Sequence, residues 1–222
     1  AMTLRDRERQ QTNTRAQTFA PAQRTPGAFL TRLAALDSQA TSLKLRQRQR
    51  ILLTPAQDDL IFALQSGVVS TRIAMATSEA GLITLYFPGD VIAAGAVPNF
   101  SERALVAATP AEALRYKSKA MLRLLATDPD LLAAYDRQRD RQASRAGLHA
   151  AILATLDRPQ RLAAFLIEMA LELGVAAGAT IAIELPLSRT EIAQHLALNA
   201  DTLSRLMSRF KADGLIPQKS RH

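Results

Sequence analysis

The stretch Leu187-Ser188-Arg189-Thr190-Glu191-Ile192-Ala193, with Asp201-Thr202-Leu203-Ser204-Arg205-Leu206 close behind it, decides how the chain is read. Ser188 and Glu191 have the spacing at which a cap serine and a reaching-back glutamate satisfy each other's free backbone N–H groups. They predict a helix that opens after Ser188 and ends near Leu196. Asn199 suits the cap of a second helix over residues 200–212, which Gly214 stops. Ile192, Ala193, Leu196, Leu198, Leu203 and Leu206 fall where two short, closely crossing helices need apolar residues, and Ala193 is small at the crossing. The outer face of the second helix carries Asp201, Thr202, Ser204, Arg205 and Arg209. Arg can hold guanine through two hydrogen bonds, and Ser or Thr can touch bases or phosphates. The corner of a plain helical bundle would share the spacing but has no need of the cap and the polar face together. The pattern predicts a helix-turn-helix that binds double-stranded DNA.

Working toward the N-terminus, residues 161–173 place Leu162, Phe165, Leu166, Met169 and Leu173 at helical spacing and stop at Gly174, and residues 180–185 read as a short strand. Asp128-Pro129-Asp130 supplies a cap, a first-turn proline and an early acid for a helix running to about Thr155. At 1.5 Å per residue such a helix is about 39 Å long. A helix of that length crosses between domains or pairs with a copy of itself. Leu131, Tyr135, Gln138, Gln142, His149 and Ile152 form its expected seam, apolar at both ends and polar in the middle. Residues 119–126 predict a shorter helix. Before them, apolar runs at residues 43–46, 60–64, 68–73, 82–87, 91–92, 104–108 and 111–116 are divided by turns such as Ser66-Gly67 and Pro88-Gly89-Asp90. Short strands in such a series predict an antiparallel barrel or sandwich. Phe29, Leu30, Leu33 and Leu36 mark a helix within residues 26–40, and the Arg-, Gln- and Thr-rich start has no periodicity. The expected organisation is a flexible basic arm over 1–27, a β-rich sensor-like domain over 28–127, a dimerisation helix over 128–156 and a DNA-binding domain over 157–222.

Composition narrows the function classes. The 222 residues are 48% hydrophobic and 22% charged, enough apolar mass for a sizeable core. The absence of cysteine excludes disulfides, thiolate zinc sites, cysteine-ligated iron–sulfur clusters and a Cys nucleophile. His149, His195 and His222 form no metal-like spacing, and no paired acid–base residues stand out, so an enzyme is not expected. Apolar runs fall far short of a membrane span, and the polar start lacks an apolar signal core, so a cytoplasmic location is expected. The net charge of +8 suggests an anionic partner. Residues 1–50 hold +7 of it, however, and residues 157–222 only +1. The DNA-binding expectation therefore rests on placed residues rather than on bulk charge.

Over roughly residues 28–216 the sequence resembles the Crp/Fnr superfamily of bacterial transcription regulators. The resemblance is carried by Phe87-Pro88-Gly89-Asp90, by Asp157-Arg158-Pro159-Gln160-Arg161-Leu162-Ala163-Ala164-Phe165-Leu166, and by residues 187–216. It implies an α+β chain: an N-terminal β-roll (a jelly roll of the cyclic-nucleotide-binding type), a long dimerisation helix and a C-terminal winged helix-turn-helix. It also implies a homodimer on a near-palindromic site, with RNA polymerase as a further partner. Carried over by residue, Ser188, Arg189 and Thr190 would meet phosphates, and Asp201, Ser204 and Arg205 would face base edges. Asp201-Thr202-Leu203-Ser204-Arg205 resembles the Glu-x-x-Ser-Arg signature of the Fnr and FixK-like branch, with an acid one methylene shorter. The family's turn usually holds Gly where Ala197 stands, and with residues 217–222 at the end of the sequence the wing is expected to be short or missing. At the positions where cyclic-nucleotide sensors carry Gly-Glu and Arg-Ser, this sequence has Ala93-Ala94 and Ser101-Glu102. A cyclic phosphate there would lack a cationic partner. Arg103 lies two positions off. Ala94, Ser101 and Arg103 are thus the candidate effector-pocket residues, with no cyclic nucleotide and no cofactor expected and the effector unnamed. The competing reading is a ligand-binding or protein-interaction module whose helix-turn-helix no longer binds DNA.

Overall fold

The computed structural model describes residues 27–36, 40–75, 78–97, 103–177 and 180–216. Residues 1–26 of the expected arm, Ser101 and the expected wing at residues 217–222 lie outside these. Helix α1 (Ala28–Leu36) precedes two four-stranded antiparallel sheets, ordered β1-β8-β3-β6 and β2-β7-β4-β5. The strands are β1 (Thr41–Leu45), β2 (Arg50–Leu52), β3 (Leu60–Ser66), β4 (Val69–Met75), β5 (Ser78–Tyr86), β6 (Val91–Ala93), β7 (Arg103–Ala107) and β8 (Ala111–Lys117). Three helices follow: α2 (Ser118–Thr127), α3 (Pro129–Thr155) and α4 (Arg158–Leu173). A hairpin of β9 (Val175–Ala177) and β10 (Thr180–Ala182) then leads to α5 (Arg189–His195) and α6 (Ala200–Ala212). The class is α+β.

The sheets enclose the alternating apolar residues that mark their strands. Leu45, Phe62, Leu64, Val69, Ile92 and Leu105 are buried together, and the space left among them is about 10 Å³, no more than a single water needs. The tight turn from β3 to β4 requires Gly67, whose φ is +76° and where a Cβ would stand 2.2 Å from the Pro110 carbonyl oxygen. Strand β2 had no counterpart in the sequence reading. Only Ile51 of its three residues is even partly buried, so no alternation announces it.

Asp128 caps the 27-residue α3 by accepting from the amides of Asp130 and Leu131, both at 3.0 Å. From Leu131 to Gln142 the expected seam of this helix faces its own chain. Leu131 is fully buried, and Tyr135 meets the Phe29 ring at 5.6 Å. Gln138 donates to Asp90 Oδ1 at 2.6 Å. Gln142 accepts from the Val91 amide at 3.0 Å and donates to the Val91 carbonyl at 2.9 Å. The polar middle of the seam is polar because it hydrogen-bonds the β-roll.

Helix α4 begins three residues before the expected start. Asp157 and Gln160 form a reciprocal capping box, and Pro159 occupies the first turn. The apolar side of α4 continues into a core shared by both ends of the chain: Val68, Leu85 and Phe87 of the β-roll pack with Leu162, Phe165 and Met169. The same core takes in Ile192, Leu196 and Leu203. The helix-turn-helix is thereby fixed against the β-roll. Among the described residues no helix is long and apolar enough to cross a membrane.

Candidate nucleic-acid interface

The interface is built on the caps of two short helices. The Ser188 hydroxyl accepts from the Glu191 amide at 3.3 Å, and the Glu191 carboxylate accepts from the Ser188 amide at 2.7 Å. Asn199 Oδ1 accepts from the Thr202 amide at 2.7 Å and opens α6. Between the helices the Leu198 amide reaches the Ala193 carbonyl at 2.8 Å. The turn that permits this puts Ala197 in the left-handed region, φ +52°. Ile192, Ala193, Leu196 and Leu203 are buried as the spacing requires, while Leu198 and Leu206 are partly buried. Phe210 adds a further buried anchor that sequence reasoning passed over. One helical turn beyond Leu206, it continues the same stripe and could have been found there.

With the apolar side anchored, the polar side is presented to solvent. Ser188, Arg189 and Thr190 are exposed at the start of α5. Asp201, Arg205 and Arg209 are exposed along α6, and Thr202 and Ser204 are half-buried. Arg209 pairs with Asp213 one turn on, at 3.6 Å. Thr202, Arg205 and Arg209 line one open groove of about 350 Å³ with Arg158 and Pro159 from the start of α4. Ser188 lines a different cleft, on the side of the β-roll. Ser188 is thereby separated from the groove that holds Thr202, Arg205 and Arg209. Arg158 was not among the expected residues. Its signal was the Asp157–Gln160 capping box, which moves the helix start to this residue.

Two of the expected effector residues, Ala94 and Arg103, have partners within the β-roll. Arg103 is buried, and its guanidinium donates to Asp58 Oδ1 at 2.6 Å and to the carbonyls of Leu53, Ala94 and Val97 at 3.1–3.3 Å. A buried guanidinium must be satisfied in this way, so Arg103 is not free to receive a phosphate. Ala94 is fully buried and contributes its carbonyl to the same set of bonds. Ala94 and Arg103 are thus bound to one another and to Asp58 within the β-roll.

Two contacts tie this interface to the rest of the chain. The turn Phe87-Pro88-Gly89-Asp90 is held by the fully buried Asp90, which accepts from the Phe87 amide at 2.8 Å and pairs with Arg145 of α3. Arg145 also lies over the Phe87 ring at 4.9 Å and approaches Glu172 of α4 at 3.7 Å. His149 of α3 stacks on His195 of α5, ring centroids 4.1 Å apart, and Phe165 meets the His195 ring edge. Burial holds the His149 imidazole below the ordinary histidine range. Among the described residues no cluster of His, Asp and Glu could hold a metal ion.

Comparison with known proteins agrees with this geometry. Residues 160–222 match the Crp-like helix-turn-helix domain. The chain is 25% identical over 159 residues to the transcriptional regulatory protein Btr of Bordetella pertussis, covering 71% of this chain and 66% of that regulator. It is 30% identical over 118 residues to the nitrogen fixation regulation protein FixK of Bradyrhizobium diazoefficiens, 53% of this chain and 48% of that one. The chain thus spans about two thirds or less of the length of these two relatives. In fold it is similar to FixK2 from Bradyrhizobium japonicum, with a TM-score of 0.68 at 21% identity over 82% of this chain and 89% of that one. A CooA variant from Carboxydothermus hydrogenoformans gives 0.67 at 19% identity, over 83% and 82%. Btr is a transcriptional regulatory protein and FixK a regulation protein of nitrogen fixation.

Proposed function

We propose that this chain, a Crp/Fnr-type transcription regulator with a C-terminal Crp-like helix-turn-helix domain, binds a specific, near-palindromic DNA site as a homodimer. The observation that carries the proposal is α6. Its apolar side is locked by Leu203 and Phe210, while Asp201, Arg205 and Arg209 stand exposed on a helix fixed at its cap. Ser204 and Arg205 read base edges, with Asp201 and Thr202 beside them, and Ser188, Arg189 and Thr190 grip phosphates. A two-fold dimer sets two such helices about 34 Å apart, one turn of DNA.

The C-terminal end of the seam, at His149 and Ile152, lines a groove that a partner could cover. Leu148 on α3 and Ile167 and Leu171 on α4 are 62%, 59% and 45% exposed around one groove. That is an apolar surface a second copy would cover. The regulator works without a cyclic nucleotide, because its β-roll interior is filled and Arg103 is committed. It acts in the cytoplasm and meets RNA polymerase at its promoters.

Selection of bound sites from random DNA tests the proposal. The expected outcome is an inverted repeat. Arg205→Ala is expected to lose about 1–3 kcal/mol of discrimination at one base step. An unchanged site preference in that variant would remove Arg205 from base recognition. Titration calorimetry with cyclic AMP and cyclic GMP is expected to give no heat of binding.

A further inference from the structure

The joint between the long helix and the helix-turn-helix contains two imidazoles. His149 of α3 and His195, the last residue of α5, stack with ring centroids 4.1 Å apart and planes inclined by 16°. Phe165 of α4 meets the His195 ring at 5.7 Å. The His149 side chain is also hydrogen-bonded to the backbone of His195. His195 is buried and His149 half-buried. Three helices thus converge on one pair of rings, and α5 is held to α3 through a side chain whose ordinary proton affinity lies close to neutral pH.

The charged groups around the pair come from all three helices. On α3, Arg145 stands one turn before His149 and pairs with the buried Asp90. Glu168 and Glu172 of α4 line the same groove as His149, and they approach Arg145 at 3.9 and 3.7 Å. Asp140 and Arg141 line that groove more than two helical turns earlier on α3. Arg161 of α4 donates to the carbonyls of Leu156, just after α3, and Leu196, just after α5, at 3.0 and 3.4 Å. On α5 itself, Glu191 is bound to Arg72 and to the Ser188 amide. A proton on His149 therefore adds charge to a joint that already holds two guanidiniums, while burial withdraws it from water. Burial depresses the His149 imidazole, outweighing its hydrogen bond to the His195 backbone.

We propose that the His149–His195 stack is a proton switch: protonation of His149 separates the rings, releases α5 from α3 and weakens the hold of the helix-turn-helix on its DNA site in acid. The proposal rests on the DNA-binding function above and makes the proton an effector of it. With His149 neutral, α5 and α6 are held in one orientation, and each protomer of the dimer presents its reading helix at a fixed spacing. With His149 protonated, the charge regains water by leaving the stack, and apparent affinity falls with the fraction of protomers still in the binding orientation. The stack is complete above the ordinary histidine pKa of about 6.5 and is lost as pH falls through the lower folded value. Each pH unit below that ordinary value favours the separated form by up to about tenfold in each protomer.

The test measures the affinity of the full chain for the selected site and for random-sequence DNA between about pH 7.5 and about pH 5.5. The ratio of the two affinities cancels the gain toward phosphates that any added proton brings. In the wild type the ratio is expected to fall by up to about tenfold per protomer over the unit below about pH 6.5. His149→Phe keeps a ring for the stack and cannot titrate, and His149→Gln keeps a donor for the His195 backbone. Both variants are expected to hold the ratio flat. Glu168, whose carboxyl burial pushes up, is the neighbour that titrates toward the same range, and Glu168→Gln is expected to leave the wild-type fall in place. A fall that persists in both His149 variants, or that vanishes in Glu168→Gln, would overturn the proposal. In the DNA-free chain, the nuclear Overhauser contact between the two imidazole rings is expected to disappear over the same range. Its persistence down to about pH 5.5 would overturn the switch and leave the DNA-binding function standing. No preference of the wild type for any DNA site at about pH 7.5 overturns both.

Discussion

Ala197 and Gly67 are two turn positions with opposite expectations. The link between α5 and α6 forces Ala197 to φ +52°. An L-residue in that region costs about 1–2 kcal/mol, whereas glycine occupies it freely at an entropic cost of about 0.5–1 kcal/mol. Ala197 is exposed, so removing its methyl leaves no cavity. Ala197→Gly is expected to leave stability unchanged or raise it by up to about 1 kcal/mol, read as the midpoint of urea unfolding. A fall in the midpoint would show that the turn is unstrained with alanine. Gly67 also has positive φ, but a Cβ there would lie 2.7 Å from Ala111 Cα as well as against the Pro110 oxygen. Both neighbours are backbone, so Gly67→Ala is expected to cost well over 1 kcal/mol in the same measurement. The sequence marked Ala197 as a departure from the usual glycine and Gly67 as a turn. The backbone angles that set the sign of each effect come from packing and were not legible there.

At the scale of elements, legibility followed chemistry that is local in sequence. The capping box of Ser188 and Glu191, the Asn199 cap and the Asp128 cap placed α5, α6 and α3 because each cap satisfies amides two or three residues away. The apolar runs gave seven of the eight β-roll strands for a similar reason: alternation is written in neighbouring residues. The seam of α3 was open between two readings because a stripe does not say what it faces. Gln138 and Gln142 look like breaks in a coiled coil and are ligands for Asp90 and Val91. His149, on the same stripe, stacks on His195 and so couples α3 to α5. Burial lowers its proton affinity in the folded state, so the unfolded chain binds the extra proton. The contribution is complete above the ordinary histidine pKa of about 6.5 and is lost as pH falls through the lower folded value. Urea unfolding followed from about pH 8 down to about pH 5.5 is expected to show a decline that His149→Gln flattens. Parallel profiles for the two proteins would assign the decline to other groups.

For the molecule as a whole, the question is what makes the β-roll, the long helix and the helix-turn-helix one body. The long helix is expected to end near Thr155 and the DNA-binding domain to begin at residue 157, yet the core formed by Phe87, Phe165 and Ile192 ignores that boundary. At its edge Asp90 is fully buried, and Arg145, with 16% side-chain exposure, is its charge partner. Arg145 also faces Glu168 and Glu172, so three carboxylates gather around one guanidinium. Removing that guanidinium leaves Asp90 buried without its cation, a situation that typically costs about 3–5 kcal/mol, a large part of a native protein's roughly 5–15 kcal/mol. Arg145→Met is therefore expected to lower the unfolding midpoint steeply. Asp90→Asn alone keeps the side chain's size and one of its two acceptor oxygens while removing the charge. The double variant Asp90→Asn/Arg145→Met has no buried charge to strand at that position, and Glu168 and Glu172 are its remaining burden. Its stability is expected to exceed the sum of the two single losses by about 0.5–3 kcal/mol, the usual range for residues in direct contact. Additive losses would mean that Asp90 and Arg145 stabilise the junction separately, with the turn held by Gln138 and the Phe87 amide alone. A coupling confined to this pair, with the Arg72→Met loss adding independently, would show that the helix-turn-helix is fastened to the β-roll at two separate points, one through α3 and one through Glu191.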